Sequence, residues 1–421
     1  MKFSSFSILL FLLFVLSSCS KKSPREGVVW KSIEKELQTQ LIMAEDGDVI
    51  EIPEGYFLFT KTLSMDGKSN ITIKGKGMNK TVLSWKNQPE GSEGIHISNG
   101  KNIVLEDFTA EDAKGDNIKV NDTDGITFRR IKAQWADGPN TKNGAYALYP
   151  VVCTNVLIEE CEVMGSSDAG IYVGQSDTVT IRYNKVYWNV AGIEAENSKR
   201  VEIYGNEAYE NTGGILVFDL PGLTHYGHTT KVYKNIIRNN NYENFAQKGN
   251  IVASIPPGSG MMILATHDIE IFDNDFIDNR SVGLSINSYD LVVMLNEGEQ
   301  EQENAIGGVQ TVNNRFREDK KYNSFPYDVS VHSNRFNNSH WFPTLKSDVG
   351  KLILTKAFLN TPDIIFDGME DPNRPMNERN ICIGDNGEFT FMNIDAANNF
   401  KNISKDVSVF NCDNNKISSA N

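Results

Sequence analysis

From about residue 47 onward the chain alternates apolar and polar positions in short runs, separated by Gly, Asn and Asp and rich in Val and Ile. A period of two with β-branched enrichment predicts strands. The runs also recur. "DAGIYVGQSDTVTIRYNKVYWNVAGIEAENSKRVEIYGNEAYENTGGILVFD", Asp168 to Asp219, repeats one frame about every 22 residues: Gly-Ile-x-(Val/Ala), a polar turn, (Val/Ile)-x-Ile-x-x-Asn-x-(Val/Ala), a second turn.

Sliding that frame along the chain aligns Ile103/Leu105, Ile126/Phe128, Val156/Ile158, Val179/Ile181, Val201/Ile203, Thr230/Val232, Ile269/Ile271 and Val329/Val331. Three residues beyond each pair stand Phe108, Ile131, Cys161, Asn184, Asn206, Asn235, Asn274 and Asn334. One unit alone has only half of a buried face, so units must stack, each strand pairing in parallel with its counterpart in the next turn. The predicted fold is all-β: a right-handed parallel β-helix of about 9–11 coils rising about 4.8 Å per coil. The Asn column is expected at corners, in left-handed backbone geometry, with side-chain amides bonding from coil to coil. Gly94, Gly170, Gly192, Gly214 and Gly283 precede the second strand, where Asn117 takes the place of Gly.

Ile33, Leu37 and Leu41 at helical spacing predict an amphipathic helix within Trp30–Glu45 that caps the first coil. The frame is left and regained at about 219–228, 238–259 and 288–326, which are expected as loops on one spine; Glu297 to Glu303 would be a solvated acidic stretch. Residues 30–340 form the predicted β-helix, and 341–421, where the repeat fades, a C-terminal cap or flanking region.

The amino terminus adds a compartment. Lys2, the apolar run Ile8–Leu16 and Leu16-Ser17-Ser18-Cys19 resemble a bacterial lipoprotein signal, which implies removal of 1–18, lipidation of Cys19 and a tether over 19–29. The resemblance points to an outer-membrane lipoprotein of the cell envelope. The net charge of −14 becomes −15 once Lys2 is lost, a balance that argues against nucleic acid as a partner. In an exported chain Cys382 and Cys412 are a candidate disulfide, and Cys161 a buried thiol.

Within Gly-Ile-x-Val the middle residue faces outward. The frame gives His96, Lys119, Tyr146, Tyr172, Glu194, Leu216, Met262 and Ser285, and two positions on, Ser98, Asn121, Leu148, Gly174, Glu196, Phe218, Leu264 and Asn287. Such a strip suits an extended polysaccharide, whose apolar faces meet tyrosines and whose hydroxyls meet carboxylates. Asp168, Tyr172, Glu194, Glu196, Asp219, Phe218, His225 and His228 belong to adjacent coils there. For uronate chemistry, Tyr172 or Tyr146 is a candidate base, His96 or His225 a candidate acid, and Lys119, or Ca2+ on Asp168 and Glu194, the stabiliser of enolate-like charge. Calcium on Asp168, Glu194 or Glu196, and a metal on His225-x-x-His228 near Asp219, are further candidates.

"DAGIYVGQS", "NVAGIEAENS", "NTGGILVFDLPGL", "NNNYENFAQKGNIVASIPPGSGMMILA" and "THDIEIFDNDF" are similar to the exported parallel β-helix repeat proteins related to carbohydrate-binding and sugar-hydrolase repeats, over residues 45–340. That resemblance implies the fold, the exported state and a second exported protein as partner. The wider set of such helices includes polysaccharide lyases, polygalacturonases and mannuronan epimerases, but the Asp-Pro-His-Asp element of the last and a paired-Asp motif are missing here. Three functions follow: an enzyme of lyase, epimerase or hydrolase type, a non-catalytic glycan-binding module, or a scaffold for another envelope protein docking on Leu216, Phe218 and Met262.

Overall fold

A computed structural model describes residues 25–295, 309–340, 342–344, 351, 355, 361–374 and 380–411. The chain is a right-handed parallel β-helix with an N-terminal helix. An eleven-stranded parallel sheet runs from Leu63–Asp66 to Phe391–Asn393 with one strand per coil, and a nineteen-stranded parallel sheet supplies the remaining walls. The alternation dictates this closure. Ile103, Ile126, Val156, Val179, Val201, Thr230, Ile269, Val329 and Ile381 stand in one register column, and each buries its side chain in a single continuous core.

The corners are held by side chains. Asn184, Asn206, Asn235, Asn274, Asn334 and Asn386 form a ladder in which each Nδ2 donates to the next Oδ1 at 2.9–3.0 Å. A parallel ladder, Asn189, Asn211, Asn240 and Asn279, lies five residues further along each coil and was not singled out from the sequence. The left-handed residue of each corner is not the Asn but the one before it: Tyr183, Gly205, Lys234, Asp273 and Ser333 have positive φ. The Asn must aim its amide along the helix axis, and its neighbour makes the bend. Similarly, Gly192 has ordinary φ; it is Gly because an added Cβ would stand 2.5 Å from the carbonyl oxygen of Gly214.

The N-terminal helix, Glu34–Met43, buries Leu37 and Leu41 against the first coil. Gln38 donates to the Ser64 carbonyl at 2.8 Å and accepts its N–H at 2.9 Å, so an amide side chain takes the place of a neighbouring strand at the open edge. The strands end at Phe218, Arg238 and Asn287 and resume at His228, Ser259 and Tyr327, as the lapses in the frame predict. The ladders continue past residue 340: Ile364–Phe366, Ile381–Ile383 and Phe391–Asn393 each pair with the coil before, so the C-terminal region adds to the spine as well as covering it. Cys153 and Cys161 are buried free thiols, and burial pushes the Cys161 thiol up to about 12. Cys382 is disulfide-bonded; Cys412, like Cys19 and Glu297–Glu303, lies outside the described residues. Among the described residues no helix is long and apolar enough to cross a membrane.

The Asn206 side chain is 1 % exposed, donates to Ile181 O and Asn235 Oδ1, and accepts from both the backbone and the amide of Asn184. Asn206→Ala strands several of these partners in the dry core, at about 1–3 kcal/mol for each group left unsatisfied. The expected loss is about 3–6 kcal/mol, read as a lower urea midpoint, whereas a change below about 1 kcal/mol would show that the ladder carries little stability.

Candidate functional site

The outward row of the eleven-stranded sheet is set by register. His96 pairs with Lys119, and Lys119 with Tyr149, not with Tyr146. In "GAYALYPV" the frame is met by Ala147-Leu148-Tyr149-Pro150: Leu148 pairs with Ile118 and Ile171 and lies in the core, correcting its expected outward position. Leu148 fills the interior better than the Ala at 145, so the core settles the register. Tyr146 pairs with Ala169, three positions earlier, and its ring still reaches this face. From Tyr172 the row continues through Glu194, Leu216, Met262 and Ser285, as the sequence indicated.

The strip is not an open groove in these coils. Tyr172, Leu216 and Phe218 are buried beneath Val252 and Ile255 of the 238–259 insertion, with Phe245 packed alongside. The expected exposed patch of Leu216, Phe218 and Met262 is therefore covered, because the insertion lays its own apolar residues on it.

What remains is a tight group of tyrosines and carboxyls. The rings of Tyr146, Tyr149 and Tyr172 are 4.4–5.0 Å apart, centre to centre, and Lys119 Nζ stands 5.2 Å from the Tyr149 ring. The Tyr172 hydroxyl donates to Glu196 and Tyr146 hydrogen-bonds Asp168. Glu194 is 1 % exposed, and among the described residues neither its Oε1 nor Asp168 Oδ1, both buried, has a hydrogen-bond partner. Burial raises all three acids: Asp168 to about 7, with Tyr146 opposing and repulsion from Glu196 adding, Glu194 well above the carboxylate range, with repulsion from Asp168 and Glu196 adding, and Glu196 to about 7, with Tyr172 and Arg315 opposing. Asp116 is raised to about 6, mainly by burial and against the pull of Lys119. Arg315, on the helix Val309–Glu318 of the third insertion, was not anticipated. It is brought in by packing on Gly222, in the loop that follows Phe218.

Other candidates fall elsewhere. His96 bonds Asn121 at 2.7 Å and lies three coils, about 14 Å, from Tyr172. His225 lies round the corner beside Lys199 and Asp177, and His228 begins a strand of the other sheet. Neither His96 nor His225 meets the acids, because the loop carrying His225 turns away after Asp219. Asp219 accepts the Gly227 N–H at 2.9 and 3.0 Å and closes that loop; burial raises it to about 8. Lys119 and Phe218 flank the acids in neighbouring coils. Burial pushes Tyr146 and Tyr172 well above the usual phenol range, the direction opposite to what a tyrosine base needs. Among the described residues no group of three or more His, Cys, Asp or Glu is arranged to hold a metal, so Asp168, Glu194 and Glu196 do not together form a calcium site, nor His225, His228 and Asp219 a metal site.

A family model described as "Right handed beta helix region" matches residues 140–252. No curated protein matches the chain. Among solved structures, the A-module of a mannuronan C-5 epimerase of Azotobacter vinelandii is similar at 13% identity, over 81% of this chain and 90% of its own, with a TM-score of 0.47. The catalytic unit of a GH87 alpha-1,3-glucanase from Streptomyces thermodiastaticus is 13% identical over 82% of this chain and 51% of its own, with a TM-score of 0.44. The tailspike protein of E. coli bacteriophage HK620, in complex with a pentasaccharide, is 14% identical over 61% and 56%, with a TM-score of 0.43. At such identities the role of each residue rests on this chain's own geometry.

A carboxyl raised on folding stabilises the protein fully below its unfolded value and ceases to do so as pH rises through its folded value. For Glu196 that window runs from about 4.5 to about 7. Glu196→Gln removes the penalty of ionising it, so the melting temperature of the variant relative to the parent should climb between these pH values and level off above them. A difference independent of pH would show that Glu196 titrates normally.

Proposed function

We propose that the chain cleaves a glycosidic bond, with Glu194 as its acid and Asp168 as its base and Tyr146 and Tyr149 as the wall on which a sugar stacks. The observation that carries this reading is the pair itself: two neighbouring carboxyls, each with a buried oxygen that lacks a partner, whose interaction raises Glu194 further. Buried polar atoms are seldom left unpaired, and such pairs titrate as a unit, one protonated while the other is ionised. The protonated member gives its proton to the glycosidic oxygen as the C–O bond breaks; water adds its hydroxyl to the anomeric carbon and its proton passes to the other member. Partly exposed Tyr146 and Tyr149 offer an apolar surface to a pyranose ring. Elimination or epimerisation of a uronate is less well served, since desolvation makes the Tyr146 and Tyr172 hydroxyls hard to ionise. The amino-terminal signal supports export and lipid anchoring through Cys19 in the bacterial envelope, where a polysaccharide is within reach.

Incubating the soluble chain from Lys21 onward with neutral and acidic polysaccharides, followed by mass spectrometry, tests the chemistry. Products one water heavier are expected, with a rate that rises with pH through about 7 as Asp168 loses its proton and becomes able to take one from water. Asp168→Asn or Glu194→Gln should each lower turnover by about 10²–10⁴, while Tyr172→Phe keeps it within about tenfold. Glycan retained but never converted would make this a binding module instead. For the anchor, Cys19→Ala should move the full-length chain from the detergent phase to the aqueous phase; no change in partitioning would remove the lipoprotein reading.

A further inference from the structure

One coil beyond Glu194 the face becomes largely apolar and encloses a cavity of about 140 Å³. Its floor is the outward row itself, Leu216 and Phe218 followed by Met262 and Leu264. Val252 and Ile255 of the 238–259 insertion, and Leu291 of the short helix Tyr289–Leu295, rise as walls. Ser285 and Asn287 also line it, but the Asn287 amide is spent on Ser285 Oγ and the Ile263 carbonyl. The cavity therefore offers almost nothing polar to a ligand. Apolar cavities of about 150 Å³ stay dry and take up benzene, so this one has the capacity for a single ring or a short acyl chain. It is too small for a folded partner.

The floor of the cavity adjoins the acid pair. Leu216 pairs with Glu194 and Phe218 with Glu196, at the strand spacing of about 4.8 Å. A molecule lying along the helix axis with a sugar on Tyr146, Tyr149 and the acid pair thus brings whatever substituent extends past Glu194 one coil on to Leu216, at the edge of the apolar cavity. We infer that the substrate is a glycan or glycoside carrying an apolar substituent of about the size of a phenyl ring, and that this cavity holds that substituent. The inference rests on the carbohydrate reading of the adjoining acids and narrows it from sugars at large to amphipathic ones.

Pairs of phenyl and methyl glycosides of glucose, galactose, mannose and glucuronic acid, titrated calorimetrically onto the soluble chain, test this, with toluene as an apolar probe lacking a sugar. The expected result is that at least one phenyl glycoside binds tenfold or more tightly than its methyl counterpart, that toluene competes with it, and that Met262→Trp abolishes the difference by filling the cavity. Ser285→Leu fills it from the next coil and serves the same purpose if Met262→Trp does not fold. Equal binding of phenyl and methyl glycosides would overturn the cavity assignment while leaving the carbohydrate reading intact. Toluene binding with no glycoside bound would overturn both.

Discussion

Everything in this molecule depends on satisfying the polar groups buried at its corners. A β-helix bends its backbone in the interior, where water cannot reach, and each bend exposes amides and carbonyls that the strand ladders do not cover. Asn answers this because its side chain both donates and accepts, so each residue in the column passes one hydrogen bond up the axis and one to a backbone carbonyl. The ladder ties each coil to the next without slack, and so the outward rows stand in fixed order. The placement of Tyr172 beside Glu194, and of Glu194 beside Leu216, is a consequence of amides that touch neither.

The periodic part of the fold was legible in the sequence because its determinants are local and repeated. The Val/Ile columns, the capping helix and the ends of the three insertions all come from residue type at fixed spacing. Where the spacing drifts, legibility fails: between Asn121 and Ala169 the coil is longer, and two alignments of "GAYALYPV" satisfy the frame. Only the volume of Leu148 in the core separates them. The second Asn ladder was readable in principle, since Asn189, Asn211, Asn240 and Asn279 each stand five residues after a member of the first. The left-handed residues were assigned one position late for a related reason: composition shows which side chain a corner needs, not which φ bends it.

The site was legible only in part, because its chemistry is made by residues distant in sequence. Asp168, Glu194, Glu196, Tyr146 and Tyr172 could be named from the strip, yet nothing local says that Val252 and Ile255 will bury it, or that Arg315 will approach from more than a hundred residues away. Burial changes the meaning of the residues. On an open strip Tyr172 and Glu194 would be a titrating phenol and an ordinary carboxylate; beneath the insertion, the phenol becomes a hydrogen-bond donor and the carboxyl a proton holder. His96, on an uncovered coil, stays a half-buried partner of Asn121 and has no share in this.

The same covering divides the face into two environments along one axis. Toward the N-terminal coils, Lys119 and half-exposed tyrosines keep water and charge near the acids; toward the C-terminal coils, insertion and helix exclude both. A polar network left half-satisfied is costly in a dry interior, and natural proteins accept such conflicts mainly where function requires them. Here the conflict falls at the boundary, where the orphaned oxygens of Asp168 and Glu194 adjoin the apolar floor begun by Leu216. An all-apolar row would have packed at that boundary without repulsion, as the following coils do. Keeping the acids there retains protons at the junction of a wet and a dry surface, which is where a bond between a sugar and an apolar group would lie.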